Sequence, residues 1–314
     1  MSASPIAPLG GRAGLPSAGA RAATEEALRN SANRDRTTSA LFFALLMLGM
    51  AVALAGLAAI IIWAFVTGAP RIGPELLTNG PSTVRPEQAG FRTALLGSLM
   101  VVGGVVLMIV PIGVGAAVYL EEYADRERWW NRLIELNIQN LAGVPSIVFG
   151  ILGLAFIVRG PLSLGFVAAA GSLTLALLVL PTVIIAAREA IRAVPPSIRE
   201  GSLALGATRW QTIRRQVLPS ALPGILTGVI LAVARATGEA APLLLVGAVT
   251  FATFDPSFVE GAYSTLPVQI YSYSTRPQAE FRTLAVAGVI VMLGLVLLMN
   301  SFAVWLRNRY EQSW

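Results

Sequence analysis

Three residue types that carry much of protein chemistry are missing. The 314-residue chain has no histidine, no cysteine and no lysine, so all 23 basic residues are arginine. Without lysine, a phosphate loop of the G-x-x-x-x-G-K-[ST] type and a Schiff base are both excluded. Without histidine or cysteine there is no Ser-His-Asp triad, no thiol nucleophile, no thiolate zinc site and no haem histidine. Disulfides are excluded too, and the redox compartment stays open. Carboxylate chemistry has nothing around it for support, so no catalytic residue, metal or cofactor is expected. Charge is also scarce. Only 13% of residues are charged and 55% are hydrophobic, where an ordinary soluble domain carries roughly 25% charge. The composition is that of an integral membrane protein. The net charge of +6 fits arginine gathered on the cytoplasmic side of a membrane rather than a nucleic-acid partner.

Residues 1–38 are rich in Ala, Gly, Ser, Pro and Arg with no apolar run. They read as a disordered cytoplasmic tail without a cleavable signal peptide. Six hydrophobic stretches follow, at 41–66, 94–120, 133–158, 166–187, 222–249 and 283–306. Each exceeds the roughly 20 residues needed to cross a bilayer. The expected class is all-α integral membrane with six transmembrane helices. The expected boundaries are a first helix and outer loop at 39–93, a core at 94–306 and a short cytoplasmic tail at 307–314. Sixteen arginines fall on the N-terminal side of the membrane and six on the other, which puts both termini in the cytoplasm. Trp129, Trp130, Trp305 and Tyr310 sit near inner boundaries, where an amphipathic ring is stable.

The long loop between the fourth and fifth stretches reads as two short helices. Pro195-Pro196 opens the first and Gly206 suits a left-handed stop. Thr208 and Gln211 form a T-x-x-Q capping box for the second, and Pro219 closes it. Trp210, Ile213 and Val217 share a face, with Arg209, Arg214 and Arg215 mostly off it. Such a helix fits a groove on a partner protein or the lipid headgroups.

Arg235 and Glu239 lie inside the fifth stretch. An arginine at mid-bilayer costs about 2.5–3.5 kcal/mol on insertion scales, which argues against an accidental placement. The i, i+4 spacing permits an ion pair. The pair either neutralises itself, with Arg235 snorkelling to an interface, or Arg235 faces a pore and meets an anion. A guanidinium presents a planar fork suited to phosphate oxygens. In the third stretch, polar Asn137, Gln139 and Asn140 precede Gly143, Pro145 and Ser146. A break there exposes backbone that can line a pore; a kinked packing helix gives the same pattern. Gly103, Gly104, Gly113 and Gly115 read as packing positions. The outer segment 250–282, with Phe251, Phe254, Phe258, Tyr263, Tyr271 and Tyr273, is a docking surface, a re-entrant element or a solvated loop.

The loop resembles the "EAA" loop of bacterial ABC importer permeases, E-A-A-x3-G-x9-I-x-L-P. Glu200, Gly206, Leu218 and Pro219 match at the right spacing, Gly201 and Ser202 replace the two alanines, and Gln216 replaces the isoleucine. Other segments resemble the phosphate branch of that family, of PstA type. They are Tyr119-Leu120-Glu121-Glu122-Tyr123, residues 140–148, 188–195 and 234–244, and Leu266-Pro267-Val268-Gln269-Ile270-Tyr271. The resemblance covers about residues 40–310 and implies a type I ABC importer permease fold whose cytoplasmic coupling helix lies in the loop 188–221. Glu200, Gly201, Ser202, Gly206, Thr208, Trp210, Leu218 and Pro219 would meet an ATPase, and Arg235, Glu239, Asn140 and Ser146 would line the substrate path. The implied partners are membrane lipid, a second permease subunit (PstC-like), an ATPase dimer (PstB-like) and an extracytoplasmic phosphate-binding protein (PstS-like). The implied location is the bacterial inner membrane. The same machinery moving sulfate or molybdate, or a secondary transporter driven by an ion gradient, remains an alternative; a membrane enzyme is disfavoured by the missing residues.

Overall fold

A computed structural model describes residues 18–310 apart from Arg126, Thr250, Phe251 and Thr253, and no side chains of residues 18–37 or Tyr310. The expectations placed on residues 1–17, on Arg126 and Phe251, and on the Tyr310 ring lie outside the described residues. Two compact units divide the chain, Met1–Ile62 and Trp63–Trp314. The first holds most of helix α1, Ala18–Gly68. The helix therefore starts 20 residues ahead of the tail boundary expected at 38, and residues 18–38 are helical. Ala and Arg favour a helix, and composition alone did not reveal it.

The second unit is a helical bundle. It contains α2 Pro74–Thr78, α3 Arg92–Val118, α4 Trp129–Ala142, α5 Ser146–Leu152, α6 Ala168–Arg192, α7 Pro196–Ala204, α8 Arg209–Thr212, α9 Leu218–Gly238, α10 Ala241–Leu245, α11 Leu266–Ser274 and α12 Ala279–Tyr310. Among the described residues there is no strand, only an isolated bridge between Ala248 and Tyr263. Among the described residues five helical runs are long and apolar enough to span a membrane: Thr38–Arg71, Arg92–Tyr123, Ala168–Arg192, Arg209–Gly238 and Ala279–Arg309. The third expected stretch is instead a pair, Trp129–Ala142 and Ser146–Val158, bent by 108°. Pro145 lacks an N–H and disfavours helical backbone in the residue before it, so the break falls where Gly143 and Pro145 predicted it. With the bent pair counted as one span, the six expected spans are present among the described residues.

Helix α6 is the centre of the bundle, with two thirds of its apolar window buried. Small residues bring its neighbours close, which suits packing inside a membrane. A Cβ on Gly104 would stand 2.6 Å from Ser172 Oγ, and one on Gly113 2.8 Å from Val183 Cγ1. On the other flank a Cβ on Gly224 would stand 2.6 Å from the Ala190 Cβ, and one on Gly228 2.3 Å from the Ala186 Cβ. Gly103 and Gly115 face open space, so only half of the four expected glycine contacts form.

The outer segment is threaded into the bundle rather than spread on its surface. Tyr263 and Tyr273 are fully buried, while Phe254 and Tyr271 are exposed. The Val249 N–H donates to Tyr263 O at 2.8 Å and the Ala169 N–H to Phe258 O at 2.8 Å. The Tyr273 ring stands edge-on to Phe91 and stacks on Phe281. Burial pushes its phenol up to about 12, so it stays protonated and donates to Gly90 O at 3.3 Å.

Candidate functional site

The loop after α6 is built by its turn residues. Pro195 caps α7, with Pro196 in its first turn. Gly206, with φ +84°, makes the left-handed stop. The capping box is complete: the Gln211 N–H donates to Thr208 Oγ1 at 3.3 Å, and the Thr208 N–H donates to Gln211 Oε1 at 2.8 Å.

Beyond α8 the structure departs from expectation. The chain enters a wide turn, Ile213–Val217, closed by the Leu218 N–H on Ile213 O, and passes straight into α9. Pro219 therefore does not end the helix. It lies at the start of α9, just past the wide turn, and Arg209–Gly238 is one helical run. The wide turn also breaks the expected face. Ile213 and Val217 are buried against Ala117, Ile191 and Ile225, while Trp210 is 54% exposed.

The exposed surface of α7 and α8 has a distinct chemistry. Leu205 is 91% exposed and Leu203 is exposed beside it. Ser197, Gly201, Ser202, Gln211 and Arg215 help to line an open hollow of about 460 Å³. Glu200 and Gly206 are exposed, and Leu218 is half-buried. Apolar tips among Arg209, Arg214 and Arg215 suit a partner surface that is apolar with acidic edges.

Arg235 Nε lies 3.4 Å from Glu239 Oε1, so the expected pair forms. Its setting differs from expectation. Helix α9 ends at Gly238, and Glu239 is extended with φ −78° and ψ 118°. The fifth stretch is thus cut before α10, and Arg235 sits in the last turn of α9. A cation there also meets the negative end of the helix dipole. Its side chain is 42% exposed, open to an anion. Asn140 is exposed in the last turn of α4 and Ser146 half-buried at the start of α5. Helix α5 packs on α10, where a Cβ on Gly150 would stand 2.7 Å from Pro242 Cα. Among the described residues no hydrogen bond joins Asn140 or Ser146 to the Arg235–Glu239 pair.

Sequence reasoning missed a junction at the end of α3. Residues Tyr119–Tyr123 form a wide turn, closed by the Ala124 N–H on Tyr119 O at 2.8 Å. Three successive side chains there each hold an arginine. Glu121 accepts Arg192 Nε at 3.2 Å and Nη2 at 3.1 Å, with Arg188 Nη2 at 3.8 Å and bridging on to Glu135 at 3.0 Å. Glu122 accepts Arg199 Nε at 3.0 Å and Nη2 at 2.8 Å. The Arg209 guanidinium stands 4.9 Å from the centre of the Tyr123 ring, a cation–π distance. The available signal was two adjacent acids closing a span in a chain whose longest loop is arginine-rich.

Among the described residues no cluster of acidic side chains suits a metal ion. A family model described as "Binding-protein-dependent transport system inner membrane component" matches residues 109–312. The chain is 33% identical over 278 residues to the probable ABC transporter permease protein YqgI of Bacillus subtilis, covering 83% of this chain and 92% of that one. It is 37% identical over 240 residues to the phosphate transport system permease protein PstA of Haemophilus influenzae, covering 75% and 81%. It is 40% identical over 206 residues to PstA 1 of Mycobacterium tuberculosis, covering 64% and 66%. Its fold is similar to a chain of a bacterial alginate ABC transporter, with TM-score 0.61, 16% identity and 86% of this chain covered against 94% of that one. It is also similar to a chain of the MetNI methionine ABC transporter in an inward-facing conformation, with TM-score 0.56, 18% identity and coverage of 70% and 95%. The fold is that of type I ABC importer permeases, multi-pass in the inner membrane; such permeases work with an ATPase and a substrate-binding protein and are not themselves enzymes. With two thirds of its length matched and several relatives above 30% identity, the chain belongs to the family of binding-protein-dependent transport system inner membrane components.

Proposed function

We propose that this chain is the membrane permease subunit of an ATP-driven importer of inorganic phosphate. The observation that carries the reading is its likeness, at 33–40% identity, to several proteins whose names give phosphate transport as their task. The missing lysine leaves the chain no phosphate loop of its own, so the nucleotide belongs to a partner. The exposed surface of α7 and α8, with Glu200, Gly201, Ser202, Gly206, Thr208 and Trp210, seats on a PstB-like ATPase. Leu218 and Pro219 carry its motion into α9. A PstC-like permease completes the pore, and a PstS-like protein delivers the anion from outside. Arginine asymmetry supports a cytoplasmic loop and cytoplasmic termini.

In this reading phosphate passes Arg235. The guanidinium offers a planar fork of donors suited to phosphate oxygens. Glu239 holds Arg235 when the site is empty and yields it when an anion arrives. Asn140 and Ser146, at the break between α4 and α5, supply neutral polar groups on the same path.

The test is phosphate uptake into vesicles holding the chain with its three partners, with and without ATP, for wild type and Arg235→Ala. ATP-dependent uptake that the substitution abolishes, with the complex intact, supports both importer and path. Uptake indifferent to ATP points to a secondary transporter. Competition by sulfate or molybdate at equal concentration would reassign the cargo. ATP-dependent uptake that survives the substitution removes Arg235 from the path.

A further inference from the structure

Helix α7 has no buried residue of its own. Apolar packing therefore does little to place it, and its position rests on polar ties. Ile198 is half-buried against the core end that includes Ile191 and Val194, and the Ser202 hydroxyl lies 2.9 Å from that of Thr212. The main tie is Arg199. Beyond its two hydrogen bonds to Glu122 Oε1, it donates from Nη1 to Val194 O at 2.6 Å and from Nη2 to Ile191 O at 2.9 Å. One guanidinium thus joins three elements: α7, which carries it, the end of α6 and the wide turn closing α3.

The Glu122 end of this tie is firm. Its side chain is 9% exposed, and that of Arg199 23%. A charge pair so shielded is screened little by salt. A planar fork serving three acceptors at once is a geometry that a lysine ammonium does not reproduce. Its neighbours repeat the arrangement, because Glu121 holds the end of α6 and Tyr123 faces Arg209 at the start of α8. Adjacent residues of one turn therefore address three successive parts of the loop region. Wide helical turns recur at functional sites.

We infer that Glu122 is a positioning residue for coupling. Through Arg199 it clamps α7 to the end of α3, so that displacement of the loop is delivered to the membrane helices instead of being lost as rotation of α7 alone. This inference rests on the proposed reading of the chain as an importer permease driven through this loop.

The experiment uses the full four-component complex in vesicles, with inorganic phosphate as probe, comparing wild type, Glu122→Gln and Arg199→Lys. Three quantities are read: recovery of ATPase with the permease, ATP hydrolysis with loaded binding protein, and uptake. The expected result is unchanged subunit recovery, hydrolysis within two-fold of wild type, and uptake at least ten-fold lower, so that ATP hydrolysed per phosphate imported rises about ten-fold. Because the chain has no cysteine, a spin label attached to Ala204→Cys before the partners are added reports α7 alone, and its spectrum should sharpen in Glu122→Gln. Two results overturn the inference while leaving the importer in place. Either uptake and spectrum match wild type in both variants, or uptake and hydrolysis fall together in proportion to the recovered complex, which is what a merely structural role produces. A wild-type complex without ATP-dependent uptake removes the underlying reading and this inference with it.

Discussion

A Cβ placed on Gly97 would stand 2.0 Å from the carbonyl oxygen of Ser264. Helix α3 and the chain leading into α11 thus touch backbone to backbone, and the Leu266 N–H donates to Ser98 Oγ at 2.8 Å beside that contact. A backbone oxygen cannot rotate away as a side chain can. Gly97→Ala should therefore destabilise the protein by about 1–3 kcal/mol, the usual cost of overpacking, seen as a lower melting temperature in detergent. Gly103→Ala and Gly115→Ala, whose new methyl groups meet nothing within 4 Å, should melt at or slightly above wild type, since alanine favours the helix by up to about 1 kcal/mol. A Gly97→Ala protein as stable as wild type would refute the close approach.

The Arg235–Glu239 pair uses one guanidinium nitrogen, Nε, at 3.4 Å. If Glu239 competes with phosphate for that group, removing its charge should favour the anion. Glu239→Gln is expected to lower the KM for phosphate several-fold in uptake assays, with release slowed and the maximal rate reduced. An unchanged KM would detach Glu239 from the anion site.

Arg188 is buried between Glu121 and Glu135. Removing one member of a buried charge set leaves its partner uncompensated, which typically costs 3–5 kcal/mol. Arg192 still holds Glu121 and the Glu135 side chain is 39% exposed, so Arg188→Met should cost less than that, about 1–2 kcal/mol. Thermal unfolding of the purified chain measures this, and a variant that melts within a degree of wild type contradicts it.

The capping box of α8 makes a local forecast. Thr208→Ala removes the hydroxyl that accepts the Gln211 N–H, at a cost of about 1 kcal/mol. Amide exchange at Gln211 should quicken roughly five-fold, the ratio that energy implies. Amides deep in α6 should keep their protection.

The legible and illegible parts of this protein divide by sequence distance. The capping box, the left-handed Gly206 and the break at Gly143–Pro145 are set by residues within a few positions of each other, and all were readable. The fifth stretch was misread at both ends because hydropathy does not register a wide turn before Pro219 or an extended Glu239 inside an apolar run. Trp210 fell off its expected face for the same reason, since one extra residue per turn rotates everything before it. The charge junction was invisible because its partners lie 71 and 77 positions apart. Tyr263 and Tyr273 look like surface aromatics by composition, yet the outer segment carries them into the core. Arg235 and Glu239 were proposed for the anion path because charge is costly in lipid, while the substrate itself came only from likeness to relatives.

The uninterrupted passage from α8 into α9 has a mechanical meaning. Thirty residues in one helical run make a rod of about 45 Å, at 1.5 Å per residue. Its first turn is the exposed, arginine-studded rim, and its last turn carries Arg235. Pivoting that rod by about 10° at one end shifts the other by about 8 Å, more than one full helical pitch of 5.4 Å. In the proposed reading, the surface offered to the ATPase and the anion path then lie at the two ends of one helical run, with the wide turn Ile213–Val217 close to the ATPase end.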